Sequence, residues 1–416
     1  MIENRNTMQG IPTQEAESIP TLGWLGPNGT FTELAALQLQ KDPKYSEARL
    51  VEFKSITAAS EAAANGSVSY AIIPIENSIG GHVKDTVEAL TALGLQISGE
   101  LVLPITQTFY AQDQNEVRII ASKDQGILQS GKWIKENYPN AEIKYTDSTA
   151  AAVVLASQDA TIGAIAAPNA ALALGLTDVL KVTISSVQDN PFNATRFLVV
   201  NAPKSELPPI TGKDKTSLIM RLSDAPGSLY SCLDALASNN INITQIKSFS
   251  RTNGIVSFLV TIQGHQNEPH VKSSLHKITT LSSGIKLLGS YPEADFKPEE
   301  MTENPPLEKA IDKVKEEISK DKTVKDDDAI IVFTLQDKKG ALRDALSVFA
   351  RKGINLTTID SFPTGRILQR QLGEYAFYLA FSNHTQGRDE IIREMSEKCL
   401  DIIMINKIKG LDYFSN

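Results

Sequence analysis

Four short segments carry side chains whose types and spacing suit chemistry on an anionic small molecule. Gly26-Pro27-Asn28-Gly29-Thr30-Phe31-Thr32-Glu33 joins a predicted strand to a predicted helix through two glycines, which let a ligand approach backbone N–H groups. Pro74-Ile75-Glu76-Asn77-Ser78-Ile79-Gly80-Gly81 follows an apolar strand and gathers a carboxylate, an amide, a hydroxyl and pliable backbone into one loop. Asp147-Ser148-Thr149-Ala150 has the form of a helix N-cap, as do Ser55-Ile56-Thr57 and the start at Ser122. Asn193-Ala194-Thr195-Arg196-Phe197 sets a hydroxyl and a guanidinium at the head of the apolar strand Leu198–Val200. A guanidinium entering such a strand needs an anionic partner, which either Glu76 or a ligand carboxylate could supply. Helix starts that converge on one crevice offer free N–H groups to an anion without a glycine-rich phosphate loop. The expected site is a carboxylate- or phosphate-binding cleft.

The elements that must position these segments fall into three folded blocks. From about residue 20 to 202, short apolar strands (Leu22–Leu25, Tyr70–Ile73, Val117–Ala121, Ile162–Ile165, Arg196–Val200) alternate with Ala-rich helices, an α/β pattern. A Pro- and Gly-containing break at Asn201–Lys215 separates this block from the next. A second break, Pro292 to Asp328, has 13 acidic and 7 basic residues, so it carries −6 of the net −8 and reads as a solvated tether with one amphipathic helix pattern at Leu307–Ile318. The blocks on either side of it, 216–290 and 329–412, are copies of each other. Ser217–Phe249 laid on Ile330–Phe362 without a gap gives 12 identities in 33 positions, including Gly227 on Gly340, Leu229 on Leu342 and Asn242 on Asn355. Each copy predicts the order β-α-β-β-α-β. One such unit is too small to hide much apolar surface, so the two should pack together.

Composition narrows the possible classes. A chain of 416 residues suggests about three domains at ~150 residues each. The charge balance, 41 basic against 49 acidic residues, argues against a nucleic acid or an anionic membrane as the main partner. Met1–Pro20 is polar and lacks the apolar core of a signal peptide, so a cytoplasmic location is expected. Cys232 and Cys399 stand far apart without a Cys-x-x-Cys or His-Glu-x-x-His spacing, so no disulfide scaffold, metal or cofactor is implied. His82, His265, His270, His276 and His384 show no ligand spacing and are expected in loops or on the surface.

The strings Gly-Pro-Asn-Gly-Thr-Phe-Thr-Glu (26–33), Pro-Ile-Glu-Asn-Ser-Ile-Gly-Gly (74–81) and Thr-Arg-Phe-Leu-Val (195–199), with Ser148-Thr149-Ala150 between the last two, resemble the signatures of prephenate dehydratases. The duplicated β-α-β-β-α-β units resemble ACT domains, the amino-acid-sensing module that usually follows that catalytic domain. The resemblance implies a two-lobed catalytic domain like the periplasmic binding proteins, with lobe one at 20–103 and 186–202 and lobe two at 104–185. First and second ACT domains would follow at 216–290 and 329–412, with the acidic linker 291–328 between them. The reaction implied is conversion of prephenate to phenylpyruvate with loss of CO2 and water.

By the same resemblance, Thr195 would meet the departing ring hydroxyl, Arg196 would hold a substrate carboxylate, and Phe197 would exclude water. Thr30, Phe31, Thr32, Glu76, Asn77, Ser78, Gly80, Ser122, Gln125, Ser148 and Thr149 would complete the substrate site, with Glu76 and Asn77 shaping the loop rather than moving protons. An amino-acid effector such as phenylalanine would sit where the two copies meet, touching Gly227, Leu229, Asn242, Gly340, Ala341, Leu342, Asn355 and Ser361. The copies could pair within a chain or between chains, and a homodimer or higher homo-oligomer is expected. The chain also departs from the family pattern. Ser122-Lys123-Asp124-Gln125 stands where the family often has Ser-His-Pro-Gln, and Gln107 replaces a common histidine. Asp360-Ser361-Phe362-Pro363 and Lys247-Ser248-Phe249-Ser250 both lack the arginine of Glu-Ser-Arg-Pro. These changes leave open arogenate as substrate or a non-aromatising prephenate decarboxylase, and a silent sensor of a dicarboxylate or amino acid is a separate alternative. Retention of Thr195 favours dehydration.

Overall fold

The computed structural model describes residues 19–191, 193–295, 324, 328–336, 338–363, 375–382, 388–405 and 413–414. Most of the expected acidic tether, with its Leu307–Ile318 helix pattern, lies outside the described residues.

Lobe one contains β1 (Thr21–Leu25), α1 (Phe31–Leu39), β2 (Arg49–Phe53), α2 (Ile56–Ala64), β3 (Tyr70–Asn77), β4 (Gly81–His82), α3 (Lys84–Ala92) and β5 (Gln96–Pro104). The chain then builds lobe two from β6 (Thr108–Ala111), β7 (Ile119–Ser122), α4 (Asp124–Gln129), α5 (Gly131–Asn137), β8 (Glu142–Tyr145), α6 (Thr149–Gln158), β9 (Ile162–Ala166), α7 (Ala170–Ala173) and β10 (Val182–Ser185). It returns to lobe one as β11 (Ala194–Asn201), which inserts antiparallel between β3 and β5. The sheet orders are β2-β1-β3-β11-β5, with β4 on β3, and β10-β6-β9-β7-β8. Buried alanines on α1, α2 and α6 (Ala35, Ala36, Ala59, Ala63, Ala152, Ala156) let these helices lie close on the strands. Ser55 and Ser148 cap α2 and α6, accepting from Ala58 N–H at 3.0 Å and Ala151 N–H at 3.1 Å.

The duplicated part comprises β12 (Asp214–Ser223), α8 (Ser228–Ala237), β13 (Ile243–Thr252), β14 (Ile255–Gln263), α9 (Pro269–Leu281) and β15 (Gly284–Pro292). The second unit has β16 (Asp328–Thr334), α10 (Ala341–Arg351), β17 (Leu356–Pro363), β18 (Tyr375–Ser382), α11 (Arg388–Ser396), β19 (Asp401–Ile405) and a short β20 (Tyr413–Phe414). Both units therefore have the order β-α-β-β-α-β. They join edge to edge through antiparallel β13 and β17 into one nine-stranded sheet, with Lys247 opposite Asp360 and ion-paired to it. Ser361 Oγ bridges to the backbone N–H and C=O of Ile246, each at 3.0 Å, and Ser248 Oγ bridges to those of Ile359 at 3.1 and 3.0 Å. The copies thus pair within the chain, and their helices and facing strands share one core around Leu233, Leu236, Leu346 and Phe349.

The first unit is also welded to lobe one. Ile219, Leu259, Leu288 and Tyr291 pack into the core formed by Ile73, Ile97, Leu198 and Val200. At Gly289 the two backbones nearly touch: a Cβ there would collide with Ile97 O, and the φ of +136° is one that side-chain-bearing residues rarely adopt.

Candidate active site

A cleft of about 750 Å³ opens between the lobes. Thr30, Phe31, Thr32, Asn77, Gly80, Thr195 and Phe197 line it from lobe one, and Gln125, Ser148 and Thr149 from lobe two. α1 and α6 both begin at its wall, so the first-turn amides that helical hydrogen bonding leaves over lie at this cleft. The two helices begin differently. Ser148 spends its hydroxyl on its own helix, whereas Thr30 makes no side-chain cap, and its buried Oγ1 has no hydrogen-bond partner among the described residues. Leu25, Phe31, Ile105 and Phe197 make an apolar part of the same wall.

Asn77 sets the direction of the hydrogen bonds at Thr195. Its Oδ1 accepts from Ile79 N–H at 2.9 Å and Gly80 N–H at 2.7 Å, which turns the Nδ2 end toward β11. Nδ2 lies 2.9 Å from Thr195 Oγ1, 2.9 Å from Asn193 Oδ1 and 3.1 Å from Ala194 O. Thr195 Oγ1 therefore accepts from Asn77, and its own proton is directed elsewhere. With the residue 9% exposed and facing the cleft, a bound ligand is the natural acceptor.

Several side chains expected in the cleft lie elsewhere. Along an extended strand, side chains alternate between faces, so Thr195 and Phe197 face the cleft and Arg196 faces away. Arg196 is buried against Glu76 at 3.5 Å and Glu100 at 3.4 Å, and it donates to Gln245 Oε1 on β13. The expectation that Arg196 holds a ligand carboxylate is corrected accordingly, and so is that for Glu76, which is wholly buried beside it. Ser78 also leaves the lining. Its Oγ donates to Asn193 Oδ1 and accepts from Ala194 N–H, each at 3.0 Å, stitching the loop to β11. Ser122 is buried at the end of β7 and donates to Ile165 O at 2.7 Å. Lys215 joins the Arg196 cluster 2.8 Å from Glu100. Burial alone would raise the Glu100 carboxyl, but the charges of Lys215 and Arg196 hold it at about 2.

Two further cleft residues, Lys54 and Lys123, carry no sequence signal that marks them as ligand contacts. Lys54 and Lys123 bring cations to the rim, and Gln107, Gln129 and Asp147 add polar groups. Lys54 stands just before the capping Ser55 and Lys123 just before the start of α4, positions that a search for caps alone passes over. Gln107 donates from Nε2 to Gln129 Oε1 at 2.9 Å, while its buried Oε1 has no hydrogen-bond partner among the described residues. Two histidines expected in loops or on the surface are buried. The His82 side chain is 4% exposed, 3.8 Å from Glu76 and 3.3 Å from Asp360. His265 receives a hydrogen bond from Asn267 N–H and lies 3.1 Å from Pro208 O.

A separate cavity lies between the duplicated units. Asp224, Gly227, Leu229, Phe258, Phe349 and Asn355 are among its lining residues. The pseudo-equivalent junction is closed: a Cβ on Gly340 would meet Ala237 Cβ at 3.3 Å and the Arg343 guanidinium at 3.2 Å, and Arg343 reaches across to Asp234 at 3.3 Å. Asn242, Gly340, Ala341 and Leu342, expected to touch an effector, therefore lie outside this cavity, and Ser361 is spent on the seam.

The prephenate dehydratase family model matches residues 22–205, and the ACT domain model matches 329–396. The prephenate dehydratase of Amycolatopsis methanolica is 32% identical over 279 residues, covering 66% of this chain and 89% of that protein. The chain belongs to the prephenate dehydratase family. Within that family, the bifunctional chorismate mutase/prephenate dehydratase of Aquifex aeolicus is 32% identical over 278 residues, covering 66% of this chain and 74% of that protein. A solved structure of the Arthrobacter aurescens prephenate dehydratase, in complex with L-Phe, superposes with a TM-score of 0.60 at 31% identity, covering 72% of this chain and 98% of that one. Among the described residues, no helix is long and apolar enough to cross a membrane.

Proposed function

We propose that the chain is a prephenate dehydratase acting in the interlobe cleft, with Thr195 as the group that meets the leaving oxygen. The observation carrying this reading is the Asn77-to-Thr195 hydrogen bond, which leaves the threonine proton directed at a ligand. Prephenate loses its ring carboxylate as CO2, and the electron pair of that C–C bond enters the ring and expels the ring hydroxyl. The departing oxygen takes up one proton and leaves as water, and aromatisation drives the step. A threonine is a poor formal acid, so Thr195 stabilises the developing hydroxide by hydrogen bonding while the proton comes from solvent. The two substrate carboxylates are met by Lys54, Lys123 and the first turns of α1 and α6, which take the role first expected of Arg196. The apolar wall of Phe31, Ile105 and Phe197 disfavours the charged form of the carboxylate that leaves.

The unit at 216–290 is proposed as a second ACT domain. Its element order, the gapless alignment of Ser217–Phe249 on Ile330–Phe362 and its pairing in one sheet support that reading. An amino acid, phenylalanine in the first instance, is the proposed effector of the cavity at Gly227 and Asn355. The Arthrobacter relative in complex with L-Phe and the apolar side of the cavity, Leu229, Phe258 and Phe349, support this choice.

Conversion of prephenate is followed by the ultraviolet absorbance of the phenylpyruvate enolate in base. Thr195→Ala is expected to lower turnover by ~10²–10⁴ with an unchanged melting temperature. Near-normal activity in that variant would remove Thr195 from the mechanism, and no activity in the unaltered chain would remove the dehydratase reading itself.

A further inference from the structure

The loop that holds Thr195 through Asn77 is a hairpin whose far end is tied to the seam between the duplicated units. In the β3–β4 pairing, Asn77 faces Gly81 and Glu76 faces His82, so His82 closes the base of the turn that contains Ile79 and Gly80. Its imidazole points out of lobe one into the seam. Arg196 donates to Gln245 Oε1, which turns Gln245 Nε2 toward His82 Nδ1 at 3.3 Å and Glu76 at 3.4 Å. An amide nitrogen can only donate, so Nδ1 accepts and the ring proton sits on Nε2. Nε2 lies 3.3 Å from Asp360 Oδ1 and 3.4 Å from Ser361 O. One ring thus touches β13 of the first unit through Gln245 and β17 of the second through Asp360 and Ser361. Its own strand pairs with the residue that orients Thr195.

We propose that His82 is a positioning residue for the dehydration: it locks the Asn77 hairpin to both regulatory strands, so that the seam sets the geometry of the Thr195 hydroxyl. The proposal rests on the dehydratase reading above. Neither a shorter polar side chain nor an apolar one could bridge the two strands, because the contacts lie on opposite edges of the ring and differ in sense. Gln245 needs an acceptor and Ser361 O needs a donor. Asp360 does not line the cleft and is also ion-paired to Lys247, so pairing its substitution with one at His82 separates an effect carried by the imidazole from one carried by the seam ion pair.

The test uses the full chain with His82→Ala, His82→Gln, Asp360→Asn and the double variant His82→Ala/Asp360→Asn. His82→Ala and Asp360→Asn should each lower kcat by about 3- to 30-fold, with KM for prephenate held within about twofold. Glutamine, which keeps a donor near the Nε2 position, should recover part of the loss, and the double variant should be no worse than the poorer single one. Hydrogen exchange is the second readout: the 77–83 peptide of the ligand-free protein should exchange faster in both single variants, since Ile79 and Gly80 N–H are held only as well as the hairpin is. Normal kcat with unchanged exchange, or losses that multiply in the double variant, would overturn the proposal. If the unaltered chain fails to convert prephenate, the dehydratase reading falls, while the exchange measurement still decides whether His82 locks the hairpin.

Discussion

Replacing Arg196 with methionine separates two roles that its position next to Thr195 suggests equally well. The guanidinium stands between two buried carboxylates, 3.5 Å from Glu76 and 3.4 Å from Glu100. Glu100 would keep Lys215 at 2.8 Å, but Glu76 would be left with Gln245 at 3.4 Å and His82 at 3.8 Å. Removing one partner of a buried ion pair costs about 3–5 kcal/mol, because the surviving charge stays buried. For a cooperative unit of ~200 residues at ~2–4 °C per kcal/mol, the melting temperature should fall by roughly 6–20 °C. Initial rates measured well below that transition should show a KM for prephenate within about threefold of normal, since the side chain does not reach the cleft. A second substitution, Glu76→Gln, should restore part of the lost stability by removing the stranded charge. The reasoning is refuted by the opposite pattern, a melting temperature within about 2 °C of normal, the effect of roughly 1 kcal/mol, with KM raised by ~10-fold or more. Loss of one charged hydrogen bond to a substrate carboxylate would produce that pattern.

Asn77→Asp replaces the donor at Thr195 with an acceptor, so the threonine proton should turn to the carboxylate and kcat should fall by ~10²-fold, the usual cost of one oxyanion donor. Asn77→Ser should be milder, and equal activity of the two would contradict the assigned direction of the bond. Glu100 is held at about 2 against an ordinary value of 4.5, chiefly by Lys215 and Arg196 acting against burial. A depressed carboxylate stabilises the fold fully above its unfolded value and loses that contribution as pH falls through the folded one, so melting temperature should drop between about pH 4.5 and 2. Glu100→Gln should flatten that part of the curve in a pH series of thermal melts. Calorimetric titration with phenylalanine should give one site per chain, weakened by Asn355→Ala and left alone by Asn242→Ala, because only one of the two junctions is open. Two equivalent sites would show that the Arg343–Asp234 closure opens on binding.

Period and repetition make most of the fold legible. The duplication, the α/β block and the capped helix starts at Ser55 and Ser148 follow from local rules of hydrophobic spacing and capping. The site is only partly legible, and Arg196 shows why. Grouping Thr195, Arg196 and Phe197 as one motif puts three consecutive strand residues in one cleft, although alternation allows only the outer two to share a face. What occupies the other face is not in the motif at all. Gln245 comes from a unit more than forty residues further on, and Glu100 from the strand that leads into lobe two. His82 escapes notice for the same reason: an isolated histidine shows no spacing, and its partners Gln245 and Asp360 meet it only after three separate pieces of chain assemble. The unequal junctions are hidden by the alignment itself, which sets Tyr230 on Arg343 as one mismatch among many. Only in three dimensions does the arginine close one site while the tyrosine lines the other.

Lys247 and Asp360 fall on the same position when the two copies are aligned, and they face each other across the seam. A two-fold arrangement of identical units would set that position against itself, lysine on lysine or aspartate on aspartate, in a strand pair where the Asp360 side chain is 5% exposed. Opposite charges at a self-facing position make each copy a poor match for its own kind and a good match for the other. The charge difference at this position therefore suits the two units of one chain to each other. Exchanging the two charges, by combining Lys247→Asp with Asp360→Lys, should preserve the match, whereas making the two positions alike would free the edges to seek partners on other chains.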